Sequence, residues 1–175
     1  MTYRLLMVCT GNICRSAMAE VILAQKLRER GIEAQVDSAG VSDEEHGGPI
    51  DPRAARTLRG AGYNVPKHRA HQVKAHELAD YDLVLAMTSG HYNVLERLAQ
   101  RAGVENTAER EVGARDSVDI RMFRSFDPAA NAGRRRDLDV PDPWYGDQSD
   151  FEETLETIEA AADSIIDHVA RQTGQ

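Results

Sequence analysis

Short apolar runs alternate along the chain with longer segments in which apolar residues recur at helical spacing. Apolar runs of this length are typical of strands that are buried on both faces of a parallel sheet. They predict four strands, at residues 3–9, 34–39, 81–87 and 120–126. The periodic segments predict four helices, at residues 16–30, 52–59, 89–102 and from 149 to near the C-terminus.

Three of these helices carry recognisable start signals. Asp51 before Pro52 combines an N-cap residue with proline at the first helical position. Thr88 is the expected cap of the third helix, and Ser149 with Glu152 forms an expected capping box for the last. The segments without periodicity are predicted to be loops, at residues 42–49, 106–119 and 127–143.

Strands that alternate with helices favour an α/β fold in which helices cover both faces of a parallel sheet. We expect a single domain over residues 1–175 with a four-stranded sheet, because the length suits one domain and no linker or repeat interrupts the pattern. Ligands of such folds bind beyond the carboxyl ends of the strands. The loop after the first strand lies there and is the first candidate for function.

Composition and charge exclude several classes of protein. Apolar residues make up 41% and charged residues 29%, which is usual for a globular protein and unlike a disordered or fibrous one. The net charge of −8 argues against a nucleic-acid partner, and no apolar run is long enough to span a membrane. The apolar stretch at 5–8 is too short for a signal peptide, so we expect a cytoplasmic protein, and we expect a monomer.

Two cysteines, Cys9 and Cys14, lie close together in the loop after the first strand. Two are too few for a disulfide framework, and the six histidines show no ligand spacing with them. We therefore expect no metal and no cofactor. The position of the cysteines in this loop points to chemistry of the thiol itself.

The loop from Cys9 to Ser16, which we call the thiol loop (residues 9–16), has the composition of an anion-binding turn. Its backbone N–H groups and the following helix N-terminus converge on one point, and Gly11 and Asn12 tolerate left-handed geometry. Arg15 offers a planar fork for two phosphate oxygens. The same donors stabilise a thiolate at Cys9, and the Ser16 hydroxyl can donate to its sulfur. The pattern predicts a nucleophile aimed at phosphorus.

Phosphoryl transfer to a thiolate also requires an acid that protonates the leaving oxygen. Asp142 is the best candidate, in a segment that we call the Asp142 loop (residues 140–146), with two prolines and the aromatic residues Trp144 and Tyr145. The thiol loop lacks the Gly-Lys-Ser/Thr sequence of a nucleotide-binding P-loop. Nucleotide-driven chemistry is therefore not expected.

These motifs resemble the low-molecular-weight protein tyrosine phosphatases, most closely the actinobacterial branch. The resemblance rests on V-C-T-G-N-I-C-R-S at 8–16 and D-P-W-Y-G at 142–146. It extends over nearly the whole chain through D-S-A-G at 37–40, R-S-F-D-P at 124–128 and S-D-F-E at 149–152. It implies a phosphatase that acts on phosphotyrosine proteins.

The resemblance implies a role for each matching residue. Cys9 would form a cysteinyl-phosphate, Arg15 would bind the phosphate, and Asp142 would act as general acid and then as general base. Asn12 would hold the loop through hydrogen bonds to Ser38 and His68, with Ser16 beside the thiol. Cys14 would pair reversibly with Cys9 under oxidation. The implied substrate-binding set is Thr10, Gly11, Asn12, Ile13, Cys14, Trp144 and Tyr145.

The sequence departs from the family pattern in the loop after the second strand. Many relatives carry Trp or Tyr there as one wall of the phenyl pocket, where this chain has Glu44 between Asp43 and Glu45. Thr88 stands where many relatives have Asp, and it keeps the capping ability. Trp144 replaces the commoner Tyr and keeps an aromatic wall.

Three alternatives remain open on the sequence. An arsenate reductase of this fold needs two further cysteines to relay a disulfide. This chain could therefore be an arsenate reductase only if an external thiol replaced those cysteines. A protein-arginine phosphatase carries Thr where Ile13 stands, and the larger apolar side chain favours an aromatic substrate. A non-catalytic phosphate-binding or redox-sensing module would not require the full set of Cys9, Arg15 and Asp142.

Overall fold

The structure is a computed structural model that describes residues 1–130 and 133–175. Its strands and helices are β1 (Tyr3–Cys9), α1 (Arg15–Glu29), β2 (Ala34–Gly40), α2 (Pro52–Gly60), β3 (Leu83–Ala86), α3 (Ser89–Ala102), β4 (Glu105–Asn106), β5 (Ser117–Met122) and α4 (Gln148–Thr173). Three 3-10 turns lie at Ala75–Asp80, Phe123–Phe126 and Arg135–Leu138. The loop expected at 127–143 includes residues 131 and 132, which lie outside the described residues.

The strands of the described residues form one parallel sheet in the order β2-β1-β3-β5-β4. Successive residues of β1 point to opposite faces: Leu5 and Met7 belong to one cluster of buried residues, and Leu6 and Val8 to the other. The first cluster lies under α1, α2 and α4, and the second under α3. An α/β fold with helices on both faces is therefore confirmed.

The expected number of four strands is wrong, because the described residues contain five. β4 is an edge strand of two residues, too short to produce a periodic pattern. β5 starts earlier than expected, at Ser117, and the expected end of this strand, Phe123–Phe126, is a 3-10 turn. Polar residues conceal the start of β5, since buried Asp119 is neutralised by Arg121, whose Nη2 lies 2.7 Å from its carboxylate.

Two of the three predicted helix starts are confirmed. The Asp51 side chain accepts the Arg53 N–H at the start of α2, and Thr88 caps α3. The capping box expected at Ser149 is wrong, because Asp147 is the N-cap of α4 and pairs with Asp150. The signature favours Ser149 with Glu152, because Asp150 is not the Glu or Gln that the capping box usually has at this position.

None of the helices in the described ranges is both long enough and apolar enough to cross a membrane.

Candidate active site

The thiol loop joins β1 to α1 at the carboxyl edge of the sheet. Asn12 has a φ of 61°, the left-handed conformation that Asn adopts more readily than most residues, whereas Gly11 has a negative φ. Gly40 at the end of β2 packs so closely that a Cβ there would lie 2.5 Å from the Thr10 carbonyl oxygen. Glycine is therefore required at this contact, and β2 fixes the path of the loop.

The buried Asn12 side chain uses all of its polar atoms. The His71 backbone N–H donates to Oδ1 at 3.1 Å, and because an N–H only donates, this bond fixes the orientation of the amide. The amide nitrogen then donates to Ser38 Oγ at 2.8 Å and to Ser16 Oγ at 3.0 Å. His68 Nε2 donates to the Asn12 carbonyl oxygen at 2.6 Å. The contacts that the resemblance implied, to Ser38 and His68, are both present.

The direction of these bonds assigns the hydrogen bond at the thiol. Ser16 Oγ accepts from Asn12 and lies 3.0 Å from the sulfur of buried Cys9. The hydroxyl proton of Ser16 is then free to point at the sulfur. When Cys9 is a thiolate its sulfur can only accept, so Ser16 is then the donor and stabilises that charge.

Glu20 extends this network and was not expected from the sequence. Ser38 accepts from Asn12 and donates its own proton to Glu20 Oε2, which also lies 3.9 Å from His68 Nδ1. Burial raises the pKa of Glu20. Glu20 stands one helical turn after Ser16 on α1, and this i,i+4 spacing is the signal that could have identified it.

Arg15 brings the Asp142 loop over the thiol loop. Arg15 is 4% exposed, and its Nη1 donates to the Val140 carbonyl oxygen at 2.9 Å. Its Nη2 lies 3.4 Å from Asp142 Oδ2, while Asp142 Oδ1 accepts the Trp144 N–H at 3.1 Å. Within the described ranges, the buried Arg15 Nε has no hydrogen-bond partner. Arg15 thus keeps a donor for a further acceptor.

Backbone donors add to the positive potential at this place. From Gly11 to Arg15, the backbone N–H groups donate to no protein acceptor in the part of the chain that the structure describes. The first turn of α1 also contains no acidic residue. These amides, the N-terminus of α1 and Arg15 together suit an anion.

The two loops enclose a cleft of about 190 Å³. Most of the expected site residues line it: Cys9, Thr10, Gly11, Ile13, Cys14, Arg15, Asp142, Trp144 and Tyr145. The remaining ones, Asn12, Ser16, Ser38 and His68, lie in the network described above. Glu44 and Glu45 also line the cleft. Trp144 is 40% exposed and Tyr145 is 92% exposed, so Trp144 is the more enclosed of the two aromatic residues.

His91 holds Thr10 from the α3 side and was also missed in the sequence. The Thr88 N–H donates to His91 Nδ1 at 3.1 Å, so the neutral ring carries its proton on Nε2 and donates to Thr10 Oγ1 at 2.8 Å. Burial and the charge of Arg15 lower the pKa of His91 to about 4, which keeps the ring neutral near pH 7. As the capping-box partner of Thr88, His91 occupies a position that helix-start rules could have flagged.

Cys14 occupies the N-cap position of α1, and its carbonyl oxygen accepts the Met18 N–H at 2.8 Å. Burial raises the pKa of its thiol, and both Cys14 and Cys9 are free cysteines. Across residues 1–130 and 133–175, no group of three His, Cys, Asp or Glu side chains is arranged to hold a metal ion.

The site combines a buried thiol, amide donors, an arginine and a carboxylate at the rim. This arrangement is typical of an enzyme whose cysteine sulfur attacks a phosphate ester. Comparison with known proteins makes this class specific. A family model described as low molecular weight phosphotyrosine protein phosphatase matches residues 4–175.

Named relatives and a solved structure agree with this match. A low molecular weight protein-tyrosine-phosphatase of Streptomyces coelicolor is 40% identical over 174 residues, covering 98% of this chain and 96% of the relative. Low molecular weight protein-tyrosine phosphatase A of Mycobacterium tuberculosis is 44% identical over 164 residues, covering 93% and 88%. The crystal structure of YfkJ from Bacillus subtilis has a TM-score of 0.80 at 26% identity, covering 100% and 98%. The chain belongs to the low molecular weight protein tyrosine phosphatase family.

Proposed function

We propose that this protein hydrolyses phosphotyrosine monoesters in proteins through a cysteinyl-phosphate on Cys9. Its family consists of phosphoric monoester hydrolases. The observation that carries the proposal is the position of the Cys9 sulfur, which accepts from Ser16 beneath the amide donors of the thiol loop. The phosphoryl oxygens fit these donors and the Nε of Arg15, so the protein itself supplies the positive charge that phosphoryl transfer needs.

In the first step, the Cys9 thiolate attacks phosphorus. The S–P bond forms while the bond from phosphorus to the tyrosyl oxygen breaks, and the electron pair leaves on that oxygen. Asp142 gives its proton to the oxygen, so neutral tyrosine departs. The bound phosphate competes with the Asp142 carboxylate for Arg15, whose Nη2 is 3.4 Å from Asp142 without substrate.

In the second step, a water molecule attacks phosphorus and transfers a proton to the Asp142 carboxylate. The S–P bond breaks, and its electron pair returns to the Cys9 sulfur. The Ser16 hydroxyl stabilises the thiolate as it leaves. Inorganic phosphate is released, and Asp142 is protonated for the next cycle.

Apolar side chains around the cleft support an aryl ester as the substrate. Ile13, Trp144 and Tyr145 line the cleft above Cys9, where they would contact the phenyl ring of phosphotyrosine. A protein-arginine phosphatase or an arsenate reductase gains no support from this lining. We also propose that residues 1–175 act as one phosphatase domain and that the protein is a cytoplasmic monomer, which sedimentation and cell fractionation would measure.

Cys14 is proposed to protect the nucleophile during oxidation. Hydrogen peroxide would convert the Cys9 thiolate to a sulfenic acid and release hydroxide. The Cys14 thiol would then attack the Cys9 sulfur, forming the disulfide and releasing water. Without Cys14, excess peroxide would oxidise the Cys9 sulfenic acid further to irreversible forms, so a dithiol should restore activity in the wild type and fail to restore it in Cys14→Ser. Equal recovery of the two proteins would contradict this role.

The central test compares kcat/KM on peptides of one sequence that carry phosphotyrosine, phosphoserine or phosphoarginine. We expect phosphotyrosine to be preferred by at least about ten-fold, in the presence of a chelator. In Cys9→Ser, turnover should vanish while phosphate binding by calorimetry persists. A preference for phosphoarginine, or activity that disappears with the chelator, would overturn the proposal.

A further inference from the structure

Arg53 on α2 lies outside both loops of the site and contacts Trp144 of the Asp142 loop. Its guanidinium lies over the Trp144 ring, 5.3 Å from the centroid, and over the Phe151 ring at 4.6 Å. Its Nη1 also donates to the Trp144 carbonyl oxygen at 3.1 Å. The Arg53 side chain therefore contacts Trp144 through both the ring and the backbone.

The same guanidinium is anchored to the thiol loop through Asp51. Arg53 Nε and Nη2 donate to the two carboxylate oxygens of Asp51 at 3.2 and 3.1 Å. Asp51 is buried, and its backbone N–H donates to the Ile13 carbonyl oxygen at 2.9 Å. Direct contacts thus run from Ile13 in the thiol loop, through Asp51 and Arg53, to Trp144.

The contact at Trp144 bears directly on the carboxylate of Asp142. The Trp144 N–H donates to Asp142 Oδ1, so the Trp144 residue that Arg53 holds is hydrogen-bonded to the side chain of Asp142. The Asp142 carboxylate also pairs with Arg15, for which a bound phosphate competes. The contact through Arg53 does not involve the phosphate-binding donors and is compatible with a bound substrate.

We propose that Arg53 is a positioning residue that holds Asp142 in line with the leaving oxygen once phosphate occupies Arg15. This inference rests on the proposed function, in which Asp142 is the general acid. Arginine suits the role better than lysine, because its planar group can stack on rings while donating to Asp51 and to the Trp144 carbonyl in different directions. Small displacements of a catalytic group cost rate mainly where that group is needed.

The test measures kcat/KM for two substrates, p-nitrophenyl phosphate and phenyl phosphate, whose leaving groups differ in their need for a proton. Arg53→Met should lower kcat/KM for phenyl phosphate by about ten-fold to about a hundred-fold and that for p-nitrophenyl phosphate by less than about three-fold. For Arg53→Lys, kcat/KM for phenyl phosphate should lie between the values of the wild type and Arg53→Met. Arg56→Met removes the same charge from an exposed position of α2 and should leave both values unchanged.

A second arm places the same substitutions in an Asp142→Ala background. There, Arg53→Met should lower kcat/KM for each substrate by no more than about two-fold, because no acid is left to position. Equal losses for both substrates, or a full further loss in the Asp142→Ala background, would overturn the inference. If Asp142→Ala itself shows no dependence on the leaving group, the acid assigned under the proposed function is wrong. If Asp142→Ala shows that dependence and Arg53→Met does not, only the role of Arg53 is wrong.

Discussion

The two loops that form the cleft are built in opposite ways. Most of the thiol loop is buried: Asn12 is fully buried, and the N–H groups of Val41 and Ser42, directly after β2, donate to the carbonyl oxygens of Cys9 and Thr10. The Asp142 loop lies on the surface, and its aromatic tip includes the highly exposed Tyr145. One loop is fixed by the internal hydrogen bonds of the buried Asn12 side chain, and the other by a few side chains from distant elements.

Because of this difference, we expect substitutions in the two loops to affect stability and activity differently. A change inside the thiol loop leaves buried polar groups without partners, so it should reduce the free energy of unfolding together with activity. A change at the exposed residues of the Asp142 loop, such as Asp142 or Tyr145, disturbs little buried structure and should reduce activity alone. Substitutions matched across the two loops can confirm or contradict this separation.

The largest effect is expected at the exposed loop. Asp142→Ala should lower kcat/KM for phenyl phosphate by about 10²- to about 10⁴-fold, since protonation of the leaving oxygen is lost. The melting temperature should change by no more than about 2 °C, because Asp142 is almost half exposed and the buried Arg15 keeps its hydrogen bond to the Val140 carbonyl oxygen. Steady-state kinetics and thermal unfolding on one preparation provide both values. A large drop in melting temperature would show that the Asp142 loop is also structural.

Asn12→Ala should destabilise the protein by about 2–5 kcal/mol. Alanine is strained at the φ of 61°, and Ser38, Ser16 and the His71 N–H lose a buried partner. Urea unfolding measures the loss. The matched variant Asn12→Gly accepts the backbone conformation but also lacks the amide, so the difference between the two variants isolates the strain. A free energy of unfolding equal to wild type in both would contradict the internal network.

The third effect concerns the contact from His91 to the thiol loop. The pKa of His91 is lowered to about 4 in the folded protein, chiefly by burial, against about 6.5 in the unfolded chain. Between these values the unfolded chain binds more protons, so stability is complete above about pH 6.5 and decreases as the pH falls towards 4. The slope should approach about 1.4 kcal/mol per pH unit.

Urea unfolding over this pH range would measure the slope in wild type and in His91→Gln. The variant should lose the part of the slope that belongs to His91. Burial also lowers the pKa of His168, which packs against Tyr3 away from the cleft, so His168→Gln is the control for a second histidine. An unchanged slope in His91→Gln would show that the ring is not buried in its neutral form.

The same contrast explains what could be predicted from the sequence. Cys9, Arg15 and Ser16 are neighbours in one short motif, so local turn chemistry was enough to predict an anion-binding loop around the thiol, whereas the partners of Asn12 were implied by the family resemblance. Glu20 and His91 were missed because their partners come from other elements: Glu20 on α1 meets Ser38 of β2, and His91 on α3 meets Thr10 of the thiol loop.

Long-range partners also account for the errors in the fold. The polar start of β5 resembles a loop until the ion pair of Asp119 with Arg121 is known, and β4 exists only as the neighbour of β5. Arg53 is a further example, since its contacts with Trp144 join residues that are far apart in the chain. Sequence patterns report local backbone preference and burial, and they do not report which polar side chains meet.

The smallest effect is expected at the rim that faces the Asp142 loop. Glu44 lines the cleft where many relatives place an aromatic wall, and it is exposed. Glu44→Trp should lower KM for phosphotyrosine peptides by a few-fold to about ten-fold, since an aromatic contact adds roughly 0.5–1.5 kcal/mol. The contact forms equally in the ground state and the transition state, so kcat should stay within about two-fold.

Charge and ring contact at this rim are separated by two controls. Glu44→Gln removes the charge alone and should improve KM only for acidic peptides, whereas Glu44→Trp should improve it for neutral peptides as well. Asp43→Trp adds the same ring beside the cleft, at an exposed residue that pairs with His46, and should leave KM unchanged. If Glu44→Trp leaves KM unchanged for both acidic and neutral peptides, the 42–49 loop does not contact the substrate. The substrate would then be held between the thiol loop and the Asp142 loop alone.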